Sequence, residues 1–124
     1  MDAKQTIFIA IPKGRILKPA LRILKKIGIF PDSSFYSEGE RKLQFSTNVE
    51  NIKLIVVRSF DVATFLIYGA AHLAIIGSDV LTEFDHSEIY SPLDLSIGNC
   101  RMVVATKKEM LLKEDPLEWS YVRV

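Results

Sequence analysis

Residues 7–16, IFIAIPKGRI, decide how the rest of the chain reads. Ile7 to Ile11 make an apolar run that is too short for a core helix; it stops at Pro12 and opens at once into Lys13-Gly14-Arg15. Such a run predicts a buried strand, and the amphipathic pattern behind it predicts a helix. The unit is therefore strand, loop and helix, with two cations and a glycine in the turn. Glycine allows close backbone approach, and helix-start N–H groups, lysine and arginine all favour anions, so a phosphate-bearing ligand suits this turn. Taken alone, Lys13 and Arg15 fit an ordinary solvated loop better than a ligand site; the downstream motifs change that balance.

Working outward, Leu17, Ala20, Leu21, Leu24 and Ile27 fall at helical spacing, with Lys18, Arg22, Lys25 and Lys26 on the other face. Pro19 is tolerable in a first turn and Gly28 supplies a stop. The basic face reads as solvated, since no aromatics are interleaved with it. Residues 31–41 read as a polar connection. Lys42 to Ser46 and Lys53 to Arg58 are predicted strands, with Asn48 to Asn51 as the turn between them, and a hairpin at this point implies a mixed sheet. Arg41 and Arg58 stand at strand ends, where open α/β sheets gather ligand-binding groups.

Ser59 is expected to cap a second helix, with Asp61 in its first turn, Val62, Phe65 and Leu66 facing inward and Gly69 ending it. His72 to Ile76 is the next predicted strand, running into Gly77-Ser78-Asp79 and a short helix from Val80 to Phe84. This repeats the opening design. Ser78 as N-cap and Asp79 in the helix dipole have a sufficient structural explanation; the functional alternative is that Gly77 admits a ligand and Asp79 accepts hydrogen bonds from a sugar or base.

His72 and His86 have no Ser or Cys nucleophile at a recognisable spacing, and Asp85, Glu88 and Asp94 are scattered, so nucleophilic or paired-carboxylate catalysis is not indicated. Cys100 opens an apolar stretch, CRMVVAT, expected to be a strand with the cysteine as a small buried hydrophobe. A helical turn is expected around Met110 to Leu112, punctuated by Pro116. WSYVRV, residues 119–124, reads as the start of a strand without a sequel, as though the chain were cut.

A length of 124 residues suits one domain or part of a larger one. With 48% apolar and 25% charged residues the chain can build a core, and a net charge of +1 argues against electrostatic nucleic-acid binding. The single cysteine allows no intrachain disulfide and suggests no Cys/His metal site. The N-terminal apolar run is too short, and broken by proline, for a signal peptide or membrane span, so a cytoplasmic setting is expected.

In order, IAIPKGRI with LKPALRILKKIGI, then ERKLQF, VRSFDVATFLIYGAAHLAIIGSDVLTE and DLSIGNCRMVVA resemble the catalytic subunit of the ATP phosphoribosyltransferase family, in its short form. Against that family's pattern Ala63 replaces a usual proline, His72 an acidic residue, Ser96 a glycine and Asn99 a lysine. The resemblance implies an α/β fold: a periplasmic-binding-protein-like (type II) lobe, with a mixed β-sheet flanked by helices, here incomplete. Residues 1–106 would be the first, nucleotide-binding lobe without its C-terminal return. Residues 107–124 would be the connection and first strand towards a second lobe, whose phosphate-holding loop has no match here.

The implied activity is transfer of phosphoribose from phosphoribosyl pyrophosphate to N1 of ATP, the first step of histidine biosynthesis, with Mg2+ carried by the substrates. No general base is assigned, because the attacking ring nitrogen has no proton to lose. Lys13, Arg15 and Arg58 are the implied catalytic residues, and Lys13, Gly14, Arg15, Arg41, Arg58, Gly77, Ser78 and Asp79 the implied substrate-binding set, with no metal ligand among them. A homodimer and a regulatory subunit similar to histidyl-tRNA synthetase are the implied partners, with no nucleic acid and no membrane. A chain this short is expected to be inactive alone; the alternative is a nucleotide-binding module or subunit without its own catalysis.

Overall fold

In a computed structural model the structure describes residues 4–37, 41–85, 88–113 and 115–118. The strand at 119–124 and His86 lie outside the described residues.

The opening run forms β1, Ile7–Pro12, at the centre of a four-stranded mixed sheet. β2 is Gln44–Ser46, β3 Ile52–Val57 and β4 Leu73–Ala74, in the order β2-β3-β1-β4. β1 runs parallel to β3 and β4, and β2 pairs antiparallel to β3 as the hairpin required. The continuous apolar character of β1 and β3 follows from burial on both faces. Ile9, Ile11, Leu54 and Val56 enter a core with Ala20 and Leu24, while the alternate residues Ala10, Ile55 and Val57 enter a second core with Val62 and Ala71. Helix α1, Leu17–Lys26, therefore covers one face and helix α2, Ser59–Ile67, the other. Helices α3, Ser78–Phe84, and α4, Lys108–Lys113, follow.

The end of α1 shows how the sequence sets a boundary. Gly28 takes a φ of +82°, its N–H donates to the Lys25 carbonyl and the Ile29 N–H to the Leu24 carbonyl, at 3.0 and 2.9 Å. This is a Schellman ending, and the apolar pair that accompanies it, Leu24 and Ile29, is part of the core. Ile27 is thereby turned outward and 67% exposed, against its expected place on the inner face.

Other expectations also need correction. The 31–41 connection contains a 3₁₀ turn, Ser33–Tyr36, begun by the Asp32 carboxylate accepting from the Ser34 N–H, and Phe35 packs edge-on against Phe45 at 4.9 Å. Ser59 and Ser78 are not caps. Each is the first residue of its helix, after Arg58 and Gly77, and neither helix start has a side-chain cap. The 100–106 stretch is not a strand, and Cys100 is exposed. Met102 and Val104 are 100% and 82% exposed, because a β pattern needs a sheet edge to pair with and this segment has none among the described residues.

Candidate functional site

The register of the sheet decides where the sequence-chosen residues fall. Pro12 pairs with Val57, so the next residues, Lys13 and Arg58, leave the sheet side by side; the Lys13 N–H donates to the Val57 carbonyl at 2.8 Å. Ala10 pairs with Ala74, and carrying that parallel register forward sets Gly77 level with Lys13. Gln44 pairs with Ile55, and the antiparallel register carried back sets Arg41 level with Arg58. A hydrogen bond from the Val56 N–H to the Leu43 carbonyl, 2.8 Å, shows the pairing continuing that way. Lys13 and Arg58 thus stand side by side at the carboxyl edge of the parallel strands, and Gly77 and Arg41, beyond the last paired residues of β4 and β2, fall at the same edge when the register is carried on.

Each position has a local cause. Gly14 adopts a φ of +100°, a conformation that other residues enter only with strain, and beyond its two chain neighbours no described residue comes within 4 Å of where a Cβ would stand. The turn is therefore open above its backbone. Arg15 follows it, exposed like Lys13 and Arg58. Helix α1 begins beside it with Ile16 as N-cap, no side-chain cap and no acidic residue in its first turn; the Leu17 N–H donates to the Gly14 carbonyl at 3.2 Å and Pro19 has no N–H, which leaves the Lys18 N–H as the open donor of that turn. Helices α2 and α3 carry Asp61 and Asp79 in their first turns instead.

At Gly77 an added Cβ would meet only the Asp79 carboxylate, the end of an exposed side chain that folds back over the turn and can swing away. Ser78 stands exposed between them. The sequence reading missed residues 94–98, which back the first turn. Leu95 and Ile97 pack on the same core as Ile16 and Leu17, and a Cβ on Gly98 would press on Ile16 at 3.3 Å. Their alternating apolar pattern around a glycine was the available signal.

The edge is a cationic strip with two carboxylates beside it, Asp61 in the first turn of α2 and Asp79 in that of α3, suited to an extended anion that also bears hydroxyl groups. Two hollows on the surface lie away from it, one around Lys4, Thr6, Glu50 and Asn51 at the opposite end of the sheet and one along α1. Among the described residues no group of three or more His, Cys, Asp and Glu could hold a metal ion.

The family model described as "HisG: ATP phosphoribosyltransferase" matches residues 58–123, just over half the chain. The chain belongs to this family. The ATP phosphoribosyltransferase of Rhizorhabdus wittichii is 56% identical over 118 residues, which are 95% of this chain and 53% of that protein. The ATP phosphoribosyltransferase of Paramagnetospirillum magneticum is 49% identical over 124 residues, all of this chain and 57% of that protein. The chain thus spans about half the length of these curated relatives. A solved structure, the ATP phosphoribosyl transferase (HisG:HisZ) complex from Thermotoga maritima, superposes with a TM-score of 0.54 at 33% identity, over 68% of this chain and 38% of that one. The open mixed sheet with helices on both faces is accordingly the periplasmic-binding-protein-like (type II) lobe that the resemblance implied. No described helix is long and apolar enough to cross a membrane.

Proposed function

We propose that the carboxyl edge of this sheet holds the polyphosphate groups of an ATP phosphoribosyltransferase, which moves phosphoribose from phosphoribosyl pyrophosphate to N1 of ATP at the start of histidine biosynthesis. The observation that carries the reading is the pairing of Pro12 with Val57, which brings Lys13 and Arg58 off adjacent parallel strands side by side. In the transfer the bond from the sugar's anomeric carbon to pyrophosphate breaks, a bond to the adenine nitrogen forms, and pyrophosphate leaves with the electron pair. Lys13, Arg15 and Arg58 stabilise that developing charge, and Arg41 lowers the repulsion between two polyphosphates in one cleft. Gly14 lets phosphate oxygens reach the backbone N–H groups of the turn itself, at Gly14 and Arg15. Asp79, with Ser78, orients a ribose hydroxyl or base edge.

Mg2+ arrives on the substrates' phosphates, in keeping with its habit of binding through substrate oxygens rather than an all-protein cage. Residues 1–106 act as the nucleotide-binding lobe and 107–124 as the connection beyond it. The working assembly is a homodimer with a regulatory subunit similar to histidyl-tRNA synthetase, in the cytoplasm, with no nucleic acid or membrane partner. The openness of the edge favours a second reading for this chain by itself, nucleotide binding without turnover. Calorimetry and a turnover assay with ATP and phosphoribosyl pyrophosphate test both. Binding that a Lys13→Ala/Arg58→Ala variant weakens by about tenfold or more, equivalent to roughly 1.4 kcal/mol, is expected. Unchanged affinity in that variant would remove the site, and full turnover by the chain alone would remove the second reading.

A further inference from the structure

Lys18, Arg22 and Lys25 stand four and three residues apart on α1 and so share one stripe of its surface. Facing them are Phe30, Pro31 and Tyr36, and with Leu21 and Ile29 these side chains line a groove of roughly 270 Å3. The helix alone has no interleaved aromatics; the chain supplies them only after Gly28 turns it back along α1. Phe30 and Tyr36 are 41% and 69% exposed, while Ile29 is buried beneath them. None of the three cations has an ion pair or side-chain hydrogen bond among the described residues. Asp32, the carboxylate beside Pro31, is occupied by the Ser34 N–H and hydroxyl.

The aromatic side is held in place. Asn48 accepts from the Phe30 N–H at 2.7 Å and donates to the Gly28 carbonyl at 2.8 Å, fixing the 28–30 segment to the turn before β3. That turn lies at the end of the sheet opposite the Lys13 row, so the aromatic side of the groove is away from that row, while Lys18 stands at the near end of α1.

We propose that this groove binds an acidic peptide segment of a partner protein, its carboxylates paired with Lys18, Arg22 and Lys25 and an apolar side chain laid on Phe30 and Tyr36. Charge complementarity selects the acid, and the fixed aromatic side lowers the ordering cost of binding. The groove is too open to enclose a small molecule in the manner of a ligand pocket. A net charge of +1 gives no field to hold a nucleic-acid backbone.

The test is fluorescence anisotropy of a rhodamine-labelled octapeptide of six glutamates and two phenylalanines, titrated with the whole chain. Saturable binding is expected. It should weaken at least tenfold in a Lys18→Gln/Arg22→Gln/Lys25→Gln variant and several-fold in Tyr36→Ala, while Lys13→Ala/Arg58→Ala leaves it unchanged. The substituted side chains are exposed, so circular dichroism of each variant should match the parent. Absent binding, equal binding by the triple variant, or equal binding of an all-glutamate octapeptide would overturn the proposal. Tighter binding of a single-stranded oligonucleotide at the same residues would overturn it in favour of a nucleic-acid surface.

Discussion

Ser96 holds a φ of +54°, in the left-handed region where a side chain costs about 1–2 kcal/mol relative to the right-handed one. The Asp94 carboxylate offsets part of that cost by accepting from the Ser96 N–H at 2.8 Å. The turn also seats Leu95 and Ile97 on the core that Ile16 joins, with Gly98 against Ile16. Ser96→Gly should therefore stabilise the chain by about 0.5–1 kcal/mol, even after the extra freedom that glycine gives the unfolded state. A raised urea midpoint with an unchanged slope is the expected reading; a lowered midpoint would mean that the serine is not strained. Gly14 contrasts with it. There the left-handed backbone is met by glycine and the space above it is open, which suits a position kept clear for a ligand.

At the scale of elements, β4 is the least secured strand, pairing with β1 at only two positions. His72 extends the connection. Its N–H donates to the Phe8 carbonyl at 2.9 Å, its Nδ1 accepts from the Phe8 N–H at 3.0 Å, and its ring stacks on Phe8 at 6.0 Å. An imidazole thus stands where a longer strand would present a carbonyl. Replacing it in His72→Ala gives the Phe8 N–H to water, and stability should fall by about 0.5–1.5 kcal/mol with faster hydrogen exchange at that amide. His72→Asp, which keeps an acceptor, should preserve slow exchange; exchange at Phe8 unaltered in His72→Ala would contradict this role. Elements with a local cause were legible in the sequence: β1 and β3 from their apolar runs, the ends of α1 and α2 from Gly28 and Gly69. The capping roles given to Ser59 and Ser78 failed because the residue before each already has the extended backbone of an N-cap. The strand expected at 100–106 failed for a non-local reason, since pairing depends on an edge that its own residues do not encode.

For the whole molecule, the sheet order brings together what the sequence spreads between Lys13 and Asp79. Parallel β1, β3 and β4 end at one edge, and the reversed direction of β2 adds Arg41 to it. The residue types were readable, but their common level was not, because it depends on register between strands far apart in the chain. The groove runs along α1 from Lys18, near the cationic row, to Phe30 and Tyr36 beyond the helix end, so its aromatic side is the part that reports separately from that row. The most direct measurement is a titration of the isotope-labelled chain with inorganic pyrophosphate, followed through backbone amide NMR shifts. Amides of Gly14, the first turn of α1, Arg58 and Gly77 should move together along one saturation curve. Shifts confined to the outer stripe of α1, or no saturable shifts at the sheet's carboxyl edge, would contradict a shared polyphosphate site there.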